Sequence, residues 1–386
     1  MEKAERIMRL RIPDYYKSFR CTADKCRKNC CAGGWDIEVD ADTLELYKKD
    51  TESKKLMSCV RKKDGYTYFK TKKTGCVWLD EKGLCGLYKE KGEDYQSLVC
   101  RQFPRFSEYF GDIKETGIGL GCEESAKLIF SGKKRPELVL EEIHEEPYED
   151  GGYDGELAEA VFEVRRMIFE MLYRNDIKLG ARLVLVMKMC DRFQDLINDG
   201  DVSFASAVEQ LRKLNDTEKA SDTKKISQAL FKEGLEAVMC VFEELPDMRR
   251  DLEKMLFRTR KFLDRLSGDK LKVVLEEFDD YLENEGRSHE YEAFLWYLTF
   301  RYFGKTVYDG DASLKGRLLT VFYLFMRLAD TALWQENRKK FTFAHRIENA
   351  ETFSREVEYS EDNMEQIYEM FLFEEDLDVT VFGRLL

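Results

Sequence analysis

Nine of this chain's eleven cysteines fall within its first 122 residues, and no other feature constrains the fold so tightly. They run Cys21-x4-Cys26-x3-Cys30-Cys31, then Cys76-x8-Cys85-x14-Cys100, then Cys122, with Cys59 between the runs. The N-terminus, Met1 to Arg6, is charged and no sustained apolar stretch follows it, so a cytoplasmic location is expected. Thiols there stay reduced, which argues against a disulfide framework and for metal or redox chemistry. Thiolate is a soft ligand suited to zinc, iron–sulfur clusters or copper(I). The first histidine, His144, comes 22 residues after Cys122. The ligand set is therefore all-cysteine, which fits structural zinc and an iron–sulfur cluster equally.

The candidate metal ligands are Cys21, Cys26, Cys30, Cys31, Cys76, Cys85, Cys100 and Cys122. Eight thiolates exceed what one tetrahedral ion uses. Adjacent side chains such as Cys30 and Cys31 are expected to diverge. Both points favour a cluster with spare cysteines, or two metal sites. Cys59, Cys190 and Cys240, isolated in helical stretches, read as core residues. The radical-type signature Cys-x3-Cys-x2-Cys is absent, since Gly33 stands three residues after Cys30.

Charge divides the chain. Residues 1–140 hold 29 Lys+Arg against 23 Asp+Glu, and the remainder holds 34 against 53. The change comes at Glu141, Glu142, Glu145, Glu146, Glu149 and Asp150, followed by Gly151-Gly152. That run predicts a boundary between a cysteine-rich metal module, 1–150, and a second domain, 151–386. With a net charge of -13, nucleic acid is not an expected partner. Nor is a membrane, because the longest apolar run, Leu318 to Met326, is too short to span one.

The first part reads as short pieces. Asp40 or Asp42 caps a helix over about Thr43–Ser58. Tyr66–Lys70 alternates as a strand. Cys76–Leu79 and Leu84–Tyr88 flank a turn as a hairpin, as do Phe106–Phe110 and Ile113–Ile118. Glu123–Phe130 reads as a short helix. Beyond it, 155–174, 178–198, 203–214, 222–244, 247–266, 269–285, 289–303, 312–337 and 361–373 carry apolar residues at helical spacing. The expected fold is mainly α with a small α+β part: an N-terminal cysteine-rich, metal-stapled module with short strands, then an all-helical domain. The aromatic-rich stretch Phe294–Phe303 reads as core.

Several segments resemble the flagellin lysine-N-methylase family, which carries a module akin to bacterial zinc- or iron-chelating domains. They are Phe19-Arg20-Cys21 with Cys26, Cys30-Cys31-Ala32-Gly33-Gly34-Trp35, Cys76-Val77-Trp78-Leu79-Asp80 and Gly83-Leu84-Cys85. Ser97 through Arg105 and Gly121-Cys122-Glu123-Glu124-Ser125-Ala126 continue the likeness, with Glu123 where the family usually has proline. Phe353 through Tyr359 is a further, more diffuse segment, with Tyr359 where a histidine is often found. The resemblance implies transfer of methyl from S-adenosylmethionine to lysine ε-amines of flagellin, with an iron–sulfur cluster, a 4Fe-4S type or zinc in its place, on the cysteines.

The residues themselves leave alternatives open. A non-enzymatic metal carrier, sensor or redox protein would use the same thiols. Glu115-Thr116-Gly117-Ile118-Gly119-Leu120-Gly121 matches the glycine loop of Rossmann-like methyltransferases, with Glu141 placed 20 residues on for a ribose. The preceding Tyr109–Lys114 is too polar for a buried parallel strand. A turn beside the metal is the expected role of those glycines. Neither a catalytic residue nor the S-adenosylmethionine pocket is legible.

Overall fold

An eight-residue strand, β1 (Arg6–Pro13), opens the described chain and becomes the spine of the N-terminal part. The computed structural model describes residues 6–33, 35–73, 75–145, 152, 154–217, 228–373 and 385. The 146–151 part of the acidic run, and with it the expected domain boundary, lies outside them, as does the first turn of the helix expected from 222.

After β1 come helices α1 (Ala41–Lys49) and α2 (Ser53–Ser58), then the small hairpins β2 (Val60–Lys63)–β3 (Tyr66–Phe69) and β4 (Thr71–Lys72)–β5 (Gly75–Cys76). Two short helices follow, α3 (Gly86–Lys91) and α4 (Leu98–Gln102). Then come β6 (Arg105–Phe110), β7 (Ile113–Ile118), α5 (Glu123–Ser131) and β8 (Leu138–Glu145). The larger sheet runs β6-β7-β1-β8, with β1 parallel to β7 and antiparallel to β8.

The expected helix over 43–58 is two helices. The Asp40 carboxylate caps α1 by accepting from the Thr43 amide at 3.0 Å. Asp50 then turns extended and accepts from the Glu52 amide at 2.7 Å, which ends the first helix. The second strand of the hairpin expected at 84–88 is a helix instead. A single bridge joins Leu79 and Cys85. Cys85 then caps α3, its sulfur accepting from the Tyr88 amide at 3.5 Å.

The rest is helical: α6 (Gly155–Leu172), α7 (Leu179–Asn198), α8 (Phe204–Thr217), α9 (Gln228–Glu243), α10 (Arg250–Asp264) and α11 (Gly268–Asn284). They continue with α12 (His289–Tyr302), α13 (Thr306–Asp309), α14 (Ala312–Glu336), α15 (Phe343–Phe353), a π-helical turn (Ser354–Glu358) and α16 (Glu361–Phe373). The fold is mainly α, with its short strands in the N-terminal part, as its sequence predicts. No helix among the described residues is long and apolar enough to cross a membrane.

Two cores hold the chain. One gathers the helices around α14 and takes in Phe110, Ile113, Leu120, Ala126, Ile129 and Phe130, so β6, β7 and α5 dock on the helical body. The other is small: Val39, Tyr47, Leu56, Phe69, Cys76, Trp78 and Leu87, with Cys31, Cys59, Cys85 and Cys100 against it. The aromatic stretch on α12 is buried, as its composition predicts. One ion pair ties the sheet to α6. The Arg165 guanidinium grips Glu115 with both nitrogens, one at 2.6 Å, and Arg11 reaches the same carboxylate at 2.7 Å.

Candidate metal centre and the junction beneath it

Cys30 and Cys31 sit on a 3-10 turn, Cys30–Ala32, capped by Asn29. The Asn29 side chain accepts from the Cys31 amide at 2.8 Å and donates to the Gly83 carbonyl at 2.6 Å. That ties this turn to the one before Cys85. Gly75 packs β5 against the same turn. A Cβ there would lie 2.3 Å from the Cys31 carbonyl oxygen, and its φ is +120°, so only glycine serves. On the other side, Ser97 caps α4 and its hydroxyl lies 3.2 Å from the Cys100 sulfur.

These elements bring the thiols into two groups. Cys31 lies within electrostatic reach of Cys30, Cys85 and Cys100, and Cys76 within reach of Cys85 and Cys59. Cys26 pairs in the same way with Cys122, which is also within reach of Cys30. Cys30 thus borders both groups. Cys21 is exposed and joins neither. The two neighbouring thiols of this tight turn act on each other, which lowers the Cys30 pKa and raises that of Cys31. Burial pushes Cys26 up to about 11 and Cys100 up to about 12, and raises Cys76 and Cys122.

A donor set made wholly of sulfur suits zinc or an iron–sulfur cluster in kind. Among the described residues, no three His, Cys, Asp or Glu side chains close on one point as a metal shell does. Cys59 belongs to the first group's surroundings, which its isolation in the sequence concealed. Cys190 is a buried core thiol on α7, whereas Cys240 on α9 is exposed rather than buried.

Beneath the thiols, the helical body grips the loops that carry them. Arg355, on the π-helical turn, donates to the Gly121 carbonyl at 2.6 Å and to the Lys28 carbonyl at 2.8 Å. It also reaches Glu351 at 3.3 Å, a carboxylate with no solvent exposure. The Tyr359 hydroxyl donates to the Pro104 carbonyl at 3.1 Å, and its ring packs on Phe103 and Trp35. One short segment therefore contacts the loops of Cys26–Cys31, Cys100 and Cys122. Behind it, Tyr297 and Tyr302 donate to Glu358 at 3.0 Å, and Arg301 donates to the Tyr297 oxygen at 2.8 Å. All four side chains are buried, and the cluster satisfies its own charges.

The glycine loop ends in this junction. A Cβ at Gly117 would meet Phe106 and Phe300, one at Gly119 would meet Tyr359 and Arg301, and one at Gly121 would meet Tyr359 and Arg355. Side chains of the same chain fill the space a nucleotide would need. Glu115 is committed to two arginines, and Glu141 lies on β8, antiparallel to β1 and paired with Lys17. The residues do not fit a Rossmann-type cofactor loop. Sequence reasoning missed Tyr297, Arg301, Glu351 and Glu358 as junction residues. The three glycines signalled a close approach but not what approaches.

Two family descriptions match the chain. Residues 165–381 match the family described as FliB lysine N-methylase C-terminal domain. Residues 20–117 match the one described as "Putative zinc- or iron-chelating domain". Proteins of Salmonella typhimurium and Salmonella choleraesuis, each named Lysine-N-methylase, are 28% identical over 128 residues, which is 31% of this chain and 32% of theirs. A Salmonella muenchen protein named Flagellar biosynthetic protein FliU is 27% identical over 128 residues, 31% of this chain and 75% of its own length. The match thus spans about a third of the two lysine methylases. No solved structure matches the chain. With more than half of its length under one family description, the chain belongs to the FliB lysine N-methylase family.

Proposed function

We propose that this chain methylates lysine ε-amines on flagellin in the cytoplasm, taking the methyl group from S-adenosylmethionine, with an iron–sulfur cluster on its N-terminal cysteines. The observation that carries the reading is the junction: thiol-bearing loops seated on the helical body of a lysine-methylase family member. A metal carrier would have no need to clamp its cysteines to a second, larger body. The two units, 1–150 and 151–386, would then be a metal module and a substrate-facing body.

Cys30, Cys31, Cys76, Cys85 and Cys100 would form one ligand pool, and Cys26 and Cys122 the other, with Cys21 reaching in from the surface. When bound, the metal group would staple a module with a small core of its own. The chain's residues have other work. Lysine has a reference pKa of about 10.4 and must be neutral to attack a sulfonium. The body must therefore desolvate the amine or set a carboxylate or tyrosine beside it. Its acidic balance beyond residue 140 would draw a lysine-bearing protein toward it.

The test begins with anaerobic purification and assay of iron, acid-labile sulfide and zinc per chain. Labelled methyl transfer to flagellin follows, beside other lysine-bearing proteins as controls. Iron and sulfide together with transfer to flagellin support the reading. Zinc without sulfide demotes the cluster. Metal without S-adenosylmethionine binding returns the chain to the alternative of a carrier, sensor or redox protein.

A further inference from the structure

The sheet β6-β7-β1-β8 has two edges, and the chain treats them differently. The β6 edge meets the helical body: the Tyr308 hydroxyl donates to the Tyr109 carbonyl, and Lys305 pairs with Glu108 at 3.0 Å. β8 is the other edge. It runs for eight residues, and among the described elements β1 alone packs closely on it.

Pairing with β1 fixes which backbone groups of β8 are left over. The Asp14 amide donates to the Glu137 carbonyl at 2.9 Å, just beyond the strand pair. Bonded and non-bonded pairs alternate along an antiparallel ladder. Val139, Glu141, Ile143 and Glu145 therefore bond to β1, and Leu138, Leu140, Glu142 and His144 turn their N–H and C=O groups outward. The Arg9 amide agrees: it sits opposite Glu142 yet donates away from it, to the Asp112 carbonyl at 2.7 Å. Leu140, Glu142 and His144 are all exposed, Leu140 at 58%. Sheet edges are commonly blunted by shortness, a bulge, proline or lysine. β8 is long, keeps an unbroken register with β1, and has neither proline nor lysine.

What it carries instead is glutamate. Residues 137–150 hold seven Asp and Glu and neither Lys nor Arg. Glu141 is paired with Lys17 and Glu145 with Lys114, but the exposed Glu142 has no ion-pair partner among the described residues. A second copy pairing β8 on β8 about a twofold axis would bring the central carboxylates together, and like charges opposite each other destabilise such a pair. An extended segment rich in lysine would bring cations to the same places.

We infer that the open edge of β8 takes up an extended, lysine-bearing segment of a protein substrate as a fifth strand. Main-chain bonds to the outward groups of Leu140, Glu142 and His144 hold it, and the carboxylates select its charge. The choice of a substrate segment rests on the methylase reading, but strand addition is measurable without methyl transfer.

The experiment uses the full-length protein and three fluorescent eight-residue peptides. One alternates lysine and threonine, and one has glutamate for each lysine. The third is the lysine peptide with N-methyl groups on its four central amides, which blocks both of its edges. Anisotropy at physiological salt reads binding, and melting curves check that each variant folds. The lysine peptide should bind, the glutamate peptide should not, and N-methylation should weaken binding about tenfold. Leu140→Pro removes one outward N–H and no bond to β1, a place where a strand tolerates proline. It should weaken the lysine peptide about fivefold, whereas Leu140→Thr, which keeps the N–H, should not. Glu142→Gln should weaken it about threefold. Equal binding of the N-methylated peptide overturns the inference and needs no variant. Equal binding of the glutamate peptide, or a dimer of the protein that Leu140→Pro dissolves, overturns the choice of occupant. If wild type and Leu140→Pro methylate flagellin with equal kcat/KM, the edge fails as a substrate dock and the methylase reading stands. If no methyl transfer occurs while the lysine peptide binds and its N-methylated form does not, the edge stands and the methylase reading fails.

Discussion

Around Tyr47 the chain buries seven apolar side chains and lays four half-buried cysteines against them. Around α14 the same chain does something different: that helix alone buries twenty of its 25 residues. The first region spends its interior positions on sulfur, which packs like a small hydrophobe but adds little apolar area. The second fills its interior with Phe, Leu and Tyr at near-continuous density. A core so small cannot hold a module of this size alone, so the cysteine region depends on what its thiols bind and on the body that grips its loops.

That contrast can be broken most directly by stripping metal. With a chelator, hydrogen exchange should accelerate throughout 36–104 while α14 stays protected, a loss on the order of 10 kcal/mol if the site is structural. Simultaneous loss in both regions would make them one cooperative unit. Next comes Glu115→Gln, which leaves the buried Arg165 without its carboxylate and should cost about 3–5 kcal/mol in a urea titration at neutral pH. Burial opposes the Glu115 charge, but Arg165 and Arg11 outweigh it and hold its pKa below the usual value. Its contribution is therefore complete above the ordinary glutamate pKa of about 4.3 and fades as pH falls through the lower folded value. The gap between wild type and Glu115→Gln should close only in strong acid.

Arg355→Ala sharpens the comparison further. Losing its bonds to the Gly121 and Lys28 carbonyls should cost about 2–3 kcal/mol, read as faster exchange at 26–33 and 119–122 before the helices change. Arg355→Lys should restore only part of that, because one ammonium replaces a planar fork. The smallest effect expected is Asp40→Ala, about 1 kcal/mol, confined to α1 and the start of α4, whose Leu98 amide the same carboxylate accepts at 2.8 Å.

What the sequence made legible follows the same divide. Long amphipathic helices such as α7 and α14 announce themselves by spacing, because their partners are each other and the pattern is local. The β6–β7 hairpin is equally local. β1 and β8 escaped notice because β1 pairs with residues more than a hundred positions away, and nothing in Arg6–Pro13 names its partner. The break at Asp50 turns on one side-chain bond, which periodicity cannot see. At the site, cysteine spacing singled out candidate thiols but not which of them come near one another, since that depends on Gly75 and Asn29 folding one loop onto another. The junction residues were hidden for a simpler reason: Tyr297 and Arg301 sit in the aromatic run of α12 that already reads as core, and Glu358 lies in a π-helical turn that apolar spacing does not mark.

The π-helical turn at Ser354–Glu358 makes the grip a matter of chain length. A helix advances about 100° per residue, so one residue's worth of extra turn re-aims everything after it. Deleting a single residue from that turn would leave the helices around it intact in composition. It would nonetheless rotate Tyr359 away from Gly119 and Pro104, and the thiol loops would lose their foothold although every cysteine remained.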